Sequence, residues 1–127
     1  MTAPTLTTRA PLLEANWMHV CSLSALEVER GRAALVGHEQ VALFLLTDGS
    51  VRAVDNYDPY SGANVISRGI VGSRGDRPTV ASPMYKQIFD LRSGTCVETQ
   101  GKEFRRLRVW PVRTRDGELF LQRGGAR

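Results

Sequence analysis

The chain has 127 residues, 42% hydrophobic and 24% charged, enough for one domain with a single core and unlike the composition of a disordered or fibrous protein. Its 17 Lys and Arg against 13 Asp and Glu leave a net charge of +4, but the bases are scattered and lack interleaved aromatics, so nucleic acid is not an expected partner. Two cysteines are too few for a disulfide scaffold, and no run is long enough to span a membrane, so a reducing, cytoplasmic setting is expected.

Residues 1–16 are rich in Thr, Ala and Pro without a continuous apolar stretch; they read as a flexible lead-in, not a secretory signal. The folded domain is expected over 17–122, followed by a flexible tail at 123–127. Trp17-Met18-His19-Val20-Cys21 reads as a strand that places His19 and Cys21 on one face. "SLSALEVE" (22–29) offers one or two helical turns capped by Ser22 or Ser24. "RAALV" (32–36) and "VALFLL" (41–46) flank Gly37-His38-Glu39-Gln40 as a hairpin. "VALFLL" then turns through Thr47-Asp48-Gly49-Ser50 into "VRAV" (51–54), where Asp-Gly between apolar runs is a strong hairpin signal.

From Asn56 to Pro78 the pattern is irregular, apart from a second short helical stretch at "SGANVISRG" (61–69). A loop of that length in a compact domain is usually functional or disordered. Tyr57, Asp58, Pro59 and Tyr60 favour the ordered case. Two more hairpins follow: "QIFDL" (87–91) with "TCVE" (95–98), and "LRVWPVRT" (107–114) with "LFLQ" (119–122). The expected fold is all-β, an antiparallel sandwich or barrel with at most short helical turns and two loops of interest, 56–78 and 82–87.

The usual signatures of chemistry are weak. His19 and Cys21 supply only two ligands and no second His or Cys pair lies nearby in sequence, so no closed metal site is expected; Cys21 and Cys96, in apolar strand-like stretches, read as buried free thiols. There is no G-x-S-x-G elbow. "GSRGDR" (72–77) lacks the strand–helix frame of a phosphate loop. Asp55 and Asp58 form no acid–base pair that can be identified without a pocket. The dense basic runs, 68–77 and Arg105-Arg106-Leu107-Arg108, read as solvated faces or a docking patch for an acidic partner.

Two segments nevertheless resemble Rieske-type iron–sulfur domains, whose loops have the forms C-x-H-x-G-x-x-L and C-P-x-H-G-x-x-F-D-x-x-T-G. The first reads Asp58-Pro59-Tyr60-Ser61-Gly62-Ala63-Asn64-Val65. The second reads Ser82-Pro83-Met84-Tyr85-Lys86-Gln87-Ile88-Phe89-Asp90-Leu91-Arg92-Ser93-Gly94. Gly62, Pro83, Phe89, Asp90 and Gly94 match; Asp58, Tyr60, Ser82 and Tyr85 stand in the four ligand positions. Oxygen donors there do not suit a [2Fe–2S] cluster, which takes thiolate and imidazole.

The wider pattern, "DNYDPYSGANVISRGIVG" with "ASPMYKQIFDLRSGTCVE", resembles the small subunit of assimilatory NAD(P)H-dependent nitrite reductase over roughly Trp17 to Gln122. That resemblance implies a Rieske-like fold without the cluster, no cofactor on this chain, and a large-subunit partner. The large subunit would carry flavin, an iron–sulfur cluster and sirohaem and reduce nitrite to ammonium. Tyr57, Arg68, Met84 and Lys86, beside the degenerate loops, are the candidate partner-binding residues; Tyr, Met and Arg are enriched at interfaces. Asn/Asp-type turn formation at Asp58 before Pro59 explains that residue without any ligand. An alternative is a ligand- or ferric-iron-binding module built from the hard donors Asp58, Tyr60 and Tyr85.

Overall fold

The computed structural model describes residues 5–7 and 16–123. They form short strands and two 3-10 turns, with no α-helix among the described residues. The strands are β1 (Leu6–Thr7), β2 (Met18–Ser22), β3 (Arg32–Val36), β4 (Glu39–Leu45), β5 (Val51–Asp55), β6 (Ile70–Arg74), β7 (Arg77–Ala81), β8 (Ile88–Asp90), β9 (Cys96–Glu98), β10 (Val112–Arg115) and β11 (Glu118–Leu121). They make three sheets ordered β1-β3-β4-β5, β10-β11-β2 and β6-β7-β8-β9. Among these strands every pairing is antiparallel except the short β1–β3 contact, whose β1 lies inside the segment expected as a lead-in. Residues 1–4, 8–15 and 124–127 lie outside the described residues.

The first sheet is covered on both faces, which explains why "VALFLL" is a continuous apolar run and not an alternating one. Val41 and Leu43 pack with Val20, Val36, Trp110 and Leu119 in one core. Ala42 and Phe44 face the opposite way, into a second core with Ile66, Val80, Phe89 and Leu107. Cys21 lies in the first core and Cys96 in the second, both as buried free thiols. Burial pushes the Cys21 thiol above its ordinary pKa.

Four local expectations change. The irregular stretch 56–78 ends in a hairpin, β6–β7, whose Gly75-Asp76 turn joins Arg74 to its partner Arg77. Pro78 and the flanking arginines hid it, although Gly-Asp between strand-like runs is itself a turn signal. The stretch 107–114 is not one strand. It crosses between sheets, touching them through the isolated bridges Thr95↔Arg106 and Val54↔Val109, before Pro111 and β10. Both helical candidates shrink to three-residue 3-10 turns, Leu23–Ala25 and Ile66–Arg68, the first capped by Ser22. Finally, a bulge opposite Leu119/Phe120 makes Val20 an extra residue in β2, so alternation fails and His19 no longer shares a face with Cys21. Val20 and Cys21 are both buried, while His19 Nε2 lies 2.7 Å from Glu118 Oε1 and its ring meets Phe120 edge-on.

Candidate functional site

The two loops of interest are built on one backbone turn. In the first, the Gly62 N–H donates to the Asp58 carbonyl at 2.8 Å and the Asp58 N–H to the Ala63 carbonyl at 2.8 Å. In the second, the Lys86 N–H donates to the Ser82 carbonyl at 3.2 Å and the Ser82 N–H to the Gln87 carbonyl at 2.9 Å. The fifth residue of each turn is left-handed, with φ of 77° at Gly62 and 65° at Lys86. Glycine takes that conformation freely, whereas lysine is held there at a cost of about 1 kcal/mol. The first residue of each turn caps it from inside. Asp58 Oδ1 accepts the Tyr60 N–H at 2.8 Å, and Ser82 Oγ accepts the Met84 N–H at 3.3 Å.

These two capping side chains also close the loops onto each other. Ser82 Oγ donates to Asp58 Oδ2 at 2.6 Å, and both residues are fully enclosed. Tyr60 points its hydroxyl at a third segment, donating to the Glu103 carbonyl at 2.9 Å and accepting the Arg105 N–H at 3.0 Å. Its ring tilts against Phe89. Burial, then the neighbouring Cys96, push the Tyr60 phenol up to about 12. Tyr85 is largely exposed and does not join this set.

Between the turns and the 100–105 segment lies an open cleft of about 810 Å³, lined by Pro59, Tyr60, Tyr85, Gln87, Gln100, Lys102, Glu103 and Arg105. Gln87 is fully buried at its back; its Nε2 donates to the Thr99 carbonyl at 3.4 Å, and its Oε1 has no hydrogen-bond partner. Nothing in the sequence singled out Gln87, because its role depends on the turn that carries it inward.

A profile of the Rieske-like [2Fe-2S] domain matches residues 16–122. The nitrite reductase (NADH) small subunit of Escherichia coli strain K12 is 34% identical over 109 residues, spanning 85% of this chain and 98% of that protein. The chain belongs to the nitrite reductase small-subunit family. A candidate NADH-dependent nitrite reductase small subunit from Mycobacterium tuberculosis superposes with a TM-score of 0.77 at 44% identity, over 87% of this chain and 96% of that one. The nitrite reductase [NAD(P)H] large subunit of Klebsiella oxytoca also matches, 41% identical over 105 residues that are 83% of this chain and 11% of that much longer protein. The ferredoxin of carbazole 1,9a-dioxygenase from Nocardioides aromaticivorans shares the fold, with a TM-score of 0.73 at 19% identity over 85% of this chain and 98% of that one.

The residues that the resemblance sets against the Rieske ligands, Asp58, Ser82, Tyr60 and Tyr85, are a carboxyl, a hydroxyl and two phenols. Asp58 and Ser82 are hydrogen-bonded to each other, and Tyr60 is engaged with backbone. A [2Fe–2S] cluster needs thiolate and imidazole, so this donor set does not fit it. Among the described residues no three His, Cys, Asp or Glu side chains converge.

The candidate partner-binding residues are distributed unevenly. Met84 and Lys86 sit on the second turn, exposed, and Tyr57 flanks the first, within reach of a Gly62 side chain if there were one. Arg68 lines a separate small polar recess with Gly31, Asn56 and Ser67. Arg74 and Arg77 lie at the tip of β6–β7, the end opposite to Ser82, so neither flanks the second turn. In the 105–108 run, Arg108 is not a surface base. It is buried against Glu39 at 2.7 Å and Asp55 at 3.2 Å, stacked on Trp110, whose Nε1 also donates to Asp55. Sequence spacing missed this network because Glu39, Asp55 and Arg108 come from three separate segments.

Proposed function

We propose that this chain is the small, cluster-free accessory subunit of an NAD(P)H-dependent nitrite reductase, working by binding the large subunit and not by catalysing a step itself. One observation carries the choice of partner: the K. oxytoca protein named as the large subunit contains a 105-residue stretch 41% identical to this chain. A domain carried covalently by one large subunit is a natural ligand of another, because fusion only replaces association by a high effective concentration. The flavin, iron–sulfur cluster and sirohaem that the family resemblance implies belong, in this reading, to the large subunit. A cytoplasmic setting goes with it.

The cluster-free state is supported by donor chemistry and by the Asp58–Ser82 hydrogen bond, which commits two of the four positions to the fold. The alternative, a ferric-iron module, asks Asp58 and Tyr60 to supply oxygens that already hold backbone N–H groups and Ser82. The test is co-purification with the large subunit, and nitrite-dependent NAD(P)H oxidation with and without this chain. Complex formation with altered turnover is expected. The purified chain should be colourless and silent in electron paramagnetic resonance after reduction. A [2Fe–2S] signal, or no binding and no effect on turnover, would overturn the proposal.

A further inference from the structure

The cleft beside the two turns holds a buried acceptor without a donor. Gln87 Oε1 has no partner, although its residue is fully enclosed, and Nε2 is assigned by its bond to the Thr99 carbonyl. A buried amide oxygen left unpaired is costly, so a turn of the Gln87 side chain that carries Oε1 out to an N–H or O–H of an occupant in the cleft is favoured. The same cleft carries cations at Lys102 and Arg105. Arg105 is paired with Glu103 at 2.7 Å, and Lys102 has no ion pair among the described residues.

A second feature lies on the cleft's wall. The Tyr60 hydroxyl bonds the Glu103 carbonyl and the Arg105 N–H, the groups on either side of Phe104. Phe104 is 61% exposed. A tyrosine used to fix the backbone on both sides of an exposed phenylalanine presents that ring in a set position, as interface anchors require.

We infer that the cleft between the 58–62 turn, the 82–86 turn and the 100–105 segment is the seat for a segment of the large-subunit polypeptide. Phe104, between two residues that line the cleft, anchors it from the rim; a donor of the partner meets Gln87 Oε1 as that side chain turns outward, and a partner carboxylate meets Lys102. This rests on the reading of the chain as a nitrite reductase subunit. The partner is identified by chemistry: an apolar pocket for Phe104, beside a stretch that carries an acidic side chain and a free N–H or O–H. A peptide backbone satisfies the last condition by itself. The exposed Tyr85 and Met84, with Lys86, extend the same face.

Titration of the full-length chain into the large subunit, by calorimetry, separates the two claims. Phe104→Ala should weaken binding at least about 30-fold, as truncating a central anchor does. Gln87→Leu should weaken it about tenfold while leaving the melting temperature of the free chain unchanged or higher. The Thr99 carbonyl keeps the Lys102 N–H in that variant. Lys102→Glu should weaken binding more at low than at high salt. Arg115→Ala, in another sheet, should bind as wild type. If wild type binds and all three cleft variants bind equally well, the cleft is not the seat and the subunit reading stands. If wild type does not bind, both fall. A Gln87→Leu chain that melts several degrees lower would overturn the view of Gln87 as an unpaired acceptor.

Discussion

Removing the Ser82 hydroxyl is the most direct perturbation of the paired turns. Ser82→Ala deletes the 2.6 Å donor to Asp58 Oδ2 and the 3.3 Å acceptor of the Met84 N–H, at a place where neither Asp58 nor Ser82 reaches water. An acceptor stranded in the interior costs about 1–3 kcal/mol, so a loss of about 2 kcal/mol is expected. For a chain of this size that is roughly 6–10 °C in melting temperature. Asp58→Ala should cost more, because Asp58 Oδ1 accepts two N–H groups, those of Tyr60 at 2.8 Å and Ser61 at 3.4 Å, where Ser82 Oγ accepts one. The double variant should be less destabilised than the sum, with a coupling of about 1–2 kcal/mol across the pair. Urea unfolding of the four proteins measures the cycle. A Ser82→Ala chain within about 0.5 kcal/mol of wild type, with no coupling, would refute the reasoning. It would mean that the carboxyl finds water and that the turns are not closed on each other.

Three further outcomes are expected. Tyr60 is held neutral by burial and by Cys96, with its pKa raised to about 12 from an ordinary value near 10; its contribution is complete below pH 10 and is lost as pH rises towards 12. Tyr60→Phe should therefore flatten the alkaline limb of the stability curve and remove the phenolate absorbance step near pH 12. At Glu39, burial works to raise the pKa, but the hydrogen bond and charge of Arg108, with Arg123, outweigh it and hold it below the ordinary value. That contribution is present above the unfolded pKa of about 4.3 and disappears as pH falls through the lower folded one, so Glu39→Gln should flatten the acid limb of a urea-unfolding series. Lys86→Gly should stabilise the free chain by about 0.5–1 kcal/mol, since glycine accepts the left-handed φ of 65° that lysine is held in; thermal melts measure it, and a lower melting temperature would contradict the strain.

Elements made by neighbouring residues were legible in the sequence. Arg32–Val36, Glu39–Leu45 and Val51–Asp55 follow the hairpins that the apolar runs 32–36, 41–46 and 51–54 and the Asp48-Gly49 turn announced. The β6–β7 hairpin was equally local, but Pro78 and the three charged residues Arg74, Asp76 and Arg77 at its tip outweighed the Gly75-Asp76 signal. What sequence order could not supply was convergence. Arg108 reads as one more base in a basic run until the fold sets it between Glu39 and Asp55. Gln87 reads as the polar first residue of a strand until the second turn carries it into the interior ahead of β8. Asp58 and Ser82 were both singled out, yet their direct bond spans 24 residues and depends on two loops adopting the same turn.

That turn occurs a third time, and the third copy bears on what the first two require. At the end of β8 the Gly94 N–H donates to the Asp90 carbonyl and the Asp90 N–H to the Thr95 carbonyl, each at 2.8 Å. Asp90 Oδ1 accepts the Arg92 N–H at 2.7 Å, and Gly94 is left-handed at φ 78°. Residues 58–62, 82–86 and 90–94 thus share one frame: an acceptor side chain first, a left-handed residue fifth. The Rieske pattern places cysteine at the first position of the first two turns, and a thiolate there accepts N–H groups as an oxygen does. At the third it places Asp, which this chain keeps. Position one therefore asks for an acceptor; sulfur is an additional demand made by iron. Asp58 and Ser82 meet the backbone's demand and not the metal's. The frame can stand at 58–62 and 82–86 for the reason it stands at 90–94, with a side-chain oxygen accepting the backbone N–H two residues on.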